Sequence, residues 1–224
     1  PPRLLRGQHN AVRWRLIPMR KLTHFLCAFV LSAVSSPLAG AAEDATKPVQ
    51  VFILAGQSNM EGQGVVDLDH PQYYNGGKGI LNTVMKGERA PQYSHIKDGD
   101  GKWVVRDDVF VRFQTKTTLK RSGLSIGFAG YDGKHHFGPE FQFGHVVGDQ
   151  IGEPVLLIKT AWGGKSLFKD FRPPSSGGET GPYYKQMIAE VEEGLAKMGE
   201  DFPSLAGREQ NLAGFVWFQG WNDM

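Results

Sequence analysis

Val49-Gln50-Val51-Phe52-Ile53-Leu54-Ala55 runs directly into Gly56-Gln57-Ser58-Asn59-Met60, and this junction decides the fold. The first seven residues are apolar at every position but one. Such a run suits a strand covered on both faces, as in a parallel sheet. Gly56 lets the chain turn sharply without a Cβ clash. A serine at that turn stands at the carboxyl edge of the sheet, where its hydroxyl projects into a cleft and its own amide can face a developing oxyanion.

Two more stretches have the same strand character: residues 154–160 (Pro-Val-Leu-Leu-Ile-Lys-Thr) and 212–219 (Leu-Ala-Gly-Phe-Val-Trp-Phe-Gln). Between them Pro182 supplies a first-turn proline, and Tyr184, Met187, Ile188, Val191 and Leu195 follow at helical spacing, predicting an amphipathic helix. Residues 138–151 predict a second helix, with Pro139 near its start. Strands alternating with helices imply a doubly wound α/β sheet. Two segments break the rhythm. Residues 61–128 form a long stretch rich in Gly, Tyr and Asp, with strand-like pieces at 103–105 and 109–114. Residues 168–181 contain Pro173-Pro174-Ser175-Ser176-Gly177-Gly178 and predict a loop. Long loops at the carboxyl ends of parallel strands are where α/β enzymes build pockets.

The formal charge of +2 over 224 residues hides an asymmetry. Residues 1–41 hold six basic side chains and no acidic one, leaving 19 basic against 23 acidic groups, a net −4, in residues 42–224. A mildly acidic body argues against nucleic acid or an anionic membrane as partner. The basic head has the order of a secretory signal peptide: Met19-Arg20-Lys21, an apolar run over 22–34, then Ala39-Gly40-Ala41 before Glu43-Asp44. The run is too short to span a bilayer. Residues 1–18 then read as upstream of the start, 19–41 as the signal, 43–48 as a linker and 49–224 as one domain. The exported chain would be secreted or periplasmic. Cys27, the sole cysteine, falls within the run, so the mature chain has no thiol and no disulfide.

The other strand ends carry matching chemistry. Residues 154–160 lead into Ala161-Trp162-Gly163-Gly164-Lys165-Ser166, where paired glycines bring a bare backbone amide close to a ligand. The third strand leads into Gln219-Gly220-Trp221-Asn222-Asp223, where the Asn222 carboxamide is a further donor. One nucleophile and donors from three strand ends form a constellation; each alone is a weak signal.

These blocks resemble the SGNH-hydrolase superfamily: a G-x-S block, a glycine block and a G-x-N-D block, in that order over residues 49–224. Gly56-Gln57-Ser58-Asn59-Met60 together with the segment Gly138-Pro139-Glu140-Phe141-Gln142-Phe143-Gly144 resembles its sialate O-acetylesterase-like branch, related to the acetylxylan esterases of carbohydrate esterase family six. The resemblance implies a flavodoxin-like three-layer α/β/α sandwich with a parallel sheet. It implies no metal and no cofactor, and hydrolysis of O-acetyl esters on a carbohydrate such as sialic acid or xylan. It makes Ser58 the nucleophile and Ser58, Gly164 and Asn222 the oxyanion hole, with Gly163 the less favoured neighbour. Two departures matter. Where many relatives carry a glutamate of assigned orienting role, this chain has Trp221. The family's D-x-x-H pair follows the third block, so the catalytic Asp and His are expected beyond Met224, along with a last helix and strand, and residues 1–224 alone are expected to be nearly inactive.

Competing readings are specific. Ser58 also suits a helix N-cap; its place after a buried strand, with the other two blocks, favours the nucleophile. Residues 56–64 lack the lysine and the glycine spacing of a phosphate loop. Internal D-x-x-H spacings occur at Asp67–His70 and Asp132–His135, but both precede the glycine block. His135 and His136 read better as cleft-lining, and His145 as packed within its helix. Trp162, Trp217 and Trp221 are candidates to stack on a sugar, with core packing the stronger reading for Trp217. A non-catalytic carbohydrate-binding or scaffold protein that keeps the fold is the alternative function. Oligomeric state is not readable.

Overall fold

A computed structural model describes residues 47–67, 76, 78–130 and 135–223. The proposed signal segment 19–41, Cys27, His70 and Asp132 lie outside them. The described residues form a five-stranded sheet in the order β4-β3-β6-β1-β7, with β1 Val49–Gly56, β3 Val109–Gln114, β4 Leu119–Gly123, β6 Val155–Ala161 and β7 Gln210–Phe218. Two residues, Gly64–Val65 (β2), pair antiparallel with His136–Phe137 (β5) in a separate ribbon. The longer helices are α3, Pro139–Gln150, and α4, Pro182–Ala196; α1 (Ser58–Glu61), α2 (Leu81–Val84) and α5 (Met198–Asp201) are single turns.

The predicted α/β sandwich is present, with helices on both faces. Alternate residues of the central strands serve two cores. Leu54, Val155 and Leu157 join Val109, Val111 and Phe113 beneath Phe141 of α3. Val51, Ile53, Ala55, Leu156 and Ile158 face Met187 of α4, Met198 and Phe202. A period of two along a strand buried on both sides gives this division, and it explains why β1 and β6 lack a polar face. At about 25 cal/mol per Å² of buried apolar surface, these two clusters are the main source of stability.

The sheet is mixed rather than wholly parallel. β3, β6, β1 and β7 run parallel, but β4 pairs antiparallel with β3. β6-β1-β7 reproduces the 2-1-3 beginning of the flavodoxin-like order. The β3–β4 hairpin, inserted between β1 and β6 in the chain, extends the sheet beyond β6. The strand expected at 103–105 does not form: Trp103 makes one isolated bridge to Lys97, whose ammonium lies 4.4 Å from the indole centre. Ile188 was expected on the inner face of α4 but is 40% exposed. At Gly194 the helix lies against the sheet, where a Cβ would lie 3.0 Å from Ile158 Cδ1, and the Met187–Glu190–Gly194 face is the buried one. Residues 168–181 are a loop apart from one 3₁₀ turn, Pro174–Ser176.

Chain direction reverses about β1. The path from β1 to β6 passes through α3 on one face, and the path from β6 to β7 through α4 on the other. β1 is therefore the switch point of the sheet, and its carboxyl end opens into the crevice where α/β folds bind ligands.

Candidate active site

Register places the three blocks side by side. Gly56 at the end of β1 is level with Ala161 of β6 and with Phe218 of β7, so the residues following each strand share one edge. Gly56 has φ +153°, and a Cβ there would collide with the Phe218 carbonyl oxygen, so only glycine allows β7 this close. The chain then enters α1 at Ser58, with Gln57 preceding it.

The Gln57 side chain, 2% exposed, occupies the middle of this edge. Its Oε1 accepts hydrogen bonds from Ser58 Oγ at 3.0 Å, from the Gly164 amide at 3.3 Å and from Asn222 Nδ2 at 3.3 Å. Its Nε2 donates to the Gly220 carbonyl. Ser58, Gly164 and Asn222, singled out separately along the sequence, thus converge on a single carbonyl oxygen. Gly164 adopts φ +76°, a left-handed conformation that glycine accepts without strain. The Gly163 amide is engaged elsewhere, donating to Glu61 Oε2 at 2.8 Å.

The third block is tied down as firmly. Trp221 has φ +80°, the one described non-glycine residue with positive φ, and the Asn222 amide turns back to the Gly220 carbonyl at 3.1 Å. Backbone strain of this kind persists where the surroundings over-determine it, and it gathers at functional sites. Asp223 accepts from the amides of Leu167 and Phe168 at 2.9 and 3.1 Å. The Leu167 amide above all holds its carboxyl below the usual range. Asn59 Nδ2 donates to the Gln219 carbonyl at 3.0 Å, closing the first block onto the third.

The profile of a family described as "Carbohydrate esterase, sialic acid-specific acetylesterase" matches residues 48–224. The chain belongs to this family. Among solved structures, one similar chain is a protein from Arabidopsis thaliana, with 17% identity over 79% of this chain and a TM-score of 0.43. Another is a carbohydrate acetylesterase from Xanthomonas citri, with 15% identity over 77% of this chain and a TM-score of 0.35. The chain spans 59% of the first and 32% of the second. Comparison with curated proteins gives no match.

Within this carbohydrate esterase family member, the histidines stand as follows. His135 Nδ1 lies 2.6 Å from Asp67 Oδ1, an exposed pair linking one residue from each internal D-x-x-H spacing. His145 is 1% exposed and packs edge-on against Phe141 and His95, as expected for a packed helix residue. None of the described histidines forms a hydrogen bond with Ser58. The tryptophans divide sharply. Trp162 is 3% exposed, packed against Phe171 and Tyr183, so it is a core residue and not a sugar platform. Trp217 stands edge-on to Phe171 at 4.8 Å. Trp221 is 78% exposed. Among the described residues no group of three or more His, Cys, Asp or Glu gathers as a metal site.

Sequence reasoning missed Gln57 as the hub and Glu61 as the partner of Gly163. The first was within the quoted motif and carried no role. The second is a single acidic residue in a one-turn helix, without a pattern to expose it.

Proposed function

We propose that the protein is a serine esterase that removes O-acetyl groups from carbohydrates, with Ser58 as nucleophile and the Ser58 amide, the Gly164 amide and Asn222 Nδ2 as oxyanion hole. The observation that carries this reading is the convergence of Ser58 Oγ, Gly164 N and Asn222 Nδ2 on Gln57 Oε1. That oxygen is a neutral amide carbonyl, chemically close to the carbonyl of an acetyl ester. In the reaction the ester oxygen takes its place and the Gln57 side chain gives way.

Ser58 Oγ then bonds to the acetyl carbon while its proton passes to a base. The carbonyl electron pair moves to the oxygen, now held by the three donors. Collapse of the tetrahedral species returns the proton to the departing sugar oxygen and leaves acetyl-Ser58. Water repeats the sequence and releases acetate. Free serine is a weak nucleophile at neutral pH, so the base is essential. The family resemblance implies a histidine that follows the third block. Export belongs to the same proposal: residues 19–41 act as a signal, and the mature chain begins at or near Ala42. Mass spectrometry of secreted protein that retains residues 22–38 would overturn that part.

The decisive experiment is hydrolysis of p-nitrophenyl acetate and of acetylated sialic acid and xylan by the full-length protein and its Ser58→Ala variant. Ser58→Ala should abolish hydrolysis and fluorophosphonate labelling while leaving the circular dichroism spectrum intact. Asn222→Ala should lower kcat by about two to three orders of magnitude, with little change in KM, because its amide meets charge present mainly in the transition state. Labelling of another serine, or full activity in Ser58→Ala, sinks the assignment. A fold that binds acetylated sugar without Ser58-dependent hydrolysis would be the non-catalytic alternative.

A further inference from the structure

Glu61 lies three residues after Ser58, on the same side of the single-turn helix α1. Its carboxylate Oε2 accepts the Gly163 amide at 2.8 Å. Its backbone carbonyl accepts the Gly130 amide at 3.0 Å and Lys159 Nζ at 3.0 Å. Lys159 Nζ also donates to the Phe128 carbonyl at 2.7 Å and to Glu140 Oε2, and both charged side chains are fully buried. An ammonium group has three N–H bonds, and all three are used here.

We propose that Glu61 is a positioning residue for the oxyanion hole, holding the Gly163 peptide so that the next amide, that of Gly164, turns toward the site. The inference rests on the esterase reading above and extends it. Glycines leave the room the clamp needs. A Cβ on Gly163 would lie 2.8 Å from Glu61 Oε2 and 3.5 Å from Ser58 Cβ, and one on Gly130 would collide with the Glu61 side chain. A Gly163 amide bound to a carboxylate is not free for the substrate, whereas the Gly164 amide donates to Gln57 Oε1 at 3.3 Å. Glu61 thereby selects which of the two glycines serves as donor. The buried Lys159–Glu140 pair fixes the carbonyl end of Glu61, so the side chain reaches Gly163 from an anchored origin.

The test compares Glu61→Ala and Glu61→Gln in the full-length protein, with Ser58→Ala in parallel. Glu61→Ala loses the acceptor and should lower kcat about 10- to 100-fold with KM nearly unchanged, less than deleting a donor outright. Glu61→Gln keeps an oxygen in place and should recover most of that loss, short of wild type because a charge-assisted bond becomes neutral. Amide hydrogen exchange at Gly163 should speed up in Glu61→Ala and return toward wild type in Glu61→Gln, and this readout does not depend on turnover. Wild-type kcat in Glu61→Ala, a loss that Gln fails to restore, or unchanged exchange at Gly163 each overturns the proposal. Hydrolysis that survives Ser58→Ala would instead break the esterase reading while the exchange measurement still judged the clamp.

Discussion

Two buried cations sit on neighbouring strands and serve opposite faces of the sheet. Lys159 of β6 faces α3 and the nucleophile turn; Arg112 of β3 faces α4 and α5. Register pairs Phe113 with Lys159 and Arg112 with Ile158, so the two cations project from opposite faces of the sheet, and the Lys159 ammonium lies 4.7 Å from the centre of the Phe113 ring. Arg112 Nε meets Asp201 Oδ2 at 2.8 Å, its Nη2 meets Glu193 Oε2 at 3.3 Å, and Arg121 reaches the other oxygen of Asp201 at 3.3 Å. The partners explain the residue types. Lys159 collects two backbone carbonyls and one carboxylate arriving from different directions, which suits three N–H bonds on one atom. Arg112 meets carboxylates on two successive helices, Glu193 of α4 and Asp201 of α5, which suits a planar fork. Burial pushes the Lys159 ammonium below its usual pKa, and Glu140 opposes that shift. One pair stands beneath the chemistry and the other clips helices to the sheet.

The comparison is broken most forcefully at Lys159. Lys159→Met leaves Glu140 buried without its cation and the Phe128 carbonyl without its donor, while the Glu61 carbonyl keeps only the Gly130 amide, an expected loss of about 3–5 kcal/mol in unfolding free energy. Adding Glu140→Met should return much of the stability, since apolar replacements of buried pairs are often tolerated. It should not return kcat, because the Glu61 and Phe128 carbonyls still lack the ammonium that ties them both to β6. Urea unfolding and esterase kinetics on the single and double variants check this, and joint recovery of stability and kcat would reduce the pair to a fold element. Arg112→Met should cost less, about 3 kcal/mol, because Arg121 still neutralises Asp201. Here kcat at a temperature where the variant stays folded should equal wild type. A loss of kcat in Arg112→Met would erase the distinction between the two cations.

How far the sequence discloses this division follows from the range of the interactions. The edge bearing Ser58, Gly164 and Asn222 is legible because each residue follows an apolar run, and local pattern marks the end of a buried strand. Lys159 lies within such a run and reads as its polar end, since its partner Glu140 and the Phe128 carbonyl belong to segments that the pattern does not connect to it. β4 (Leu119-Lys120-Arg121-Ser122-Gly123) escapes for the opposite reason. It is an outer strand of the described sheet, so no alternation of apolar residues is demanded of it, and charged side chains suit an edge. The choice between Gly163 and Gly164 rests on Glu61, which reaches Gly163 across 102 residues of chain. Ile188 shows the limit of helical periodicity: spacing gives an apolar stripe, but the buried face is the one through Met187, Glu190 and Gly194.

A third buried base sharpens the comparison, because it has no counter-ion and stays discharged. His145 in α3 is 1% exposed, and its Nε2 has no hydrogen-bond partner. Burial first, then the neighbouring His95 and Arg106, push its pKa from 6.5 down to about 4, while Asp149 and Asp108 oppose them weakly. Both carboxylates are already engaged by Arg106. The sign follows from linkage. Below 6.5 the unfolded chain binds a proton at this position while the fold refuses it until about 4, so His145 withdraws stability as pH falls across that window and adds no further loss below it. His145→Phe keeps a ring against Phe141 and His95 and removes the titration. The unfolding free energy of this variant, relative to wild type, should be constant above neutrality and should rise steadily as pH falls from 6.5 toward 4. At neutral pH the effect is the smallest of the three, since nothing breaks there. Parallel stability curves for the two proteins across that range would mean that His145 takes up its proton in the fold as readily as in the open chain.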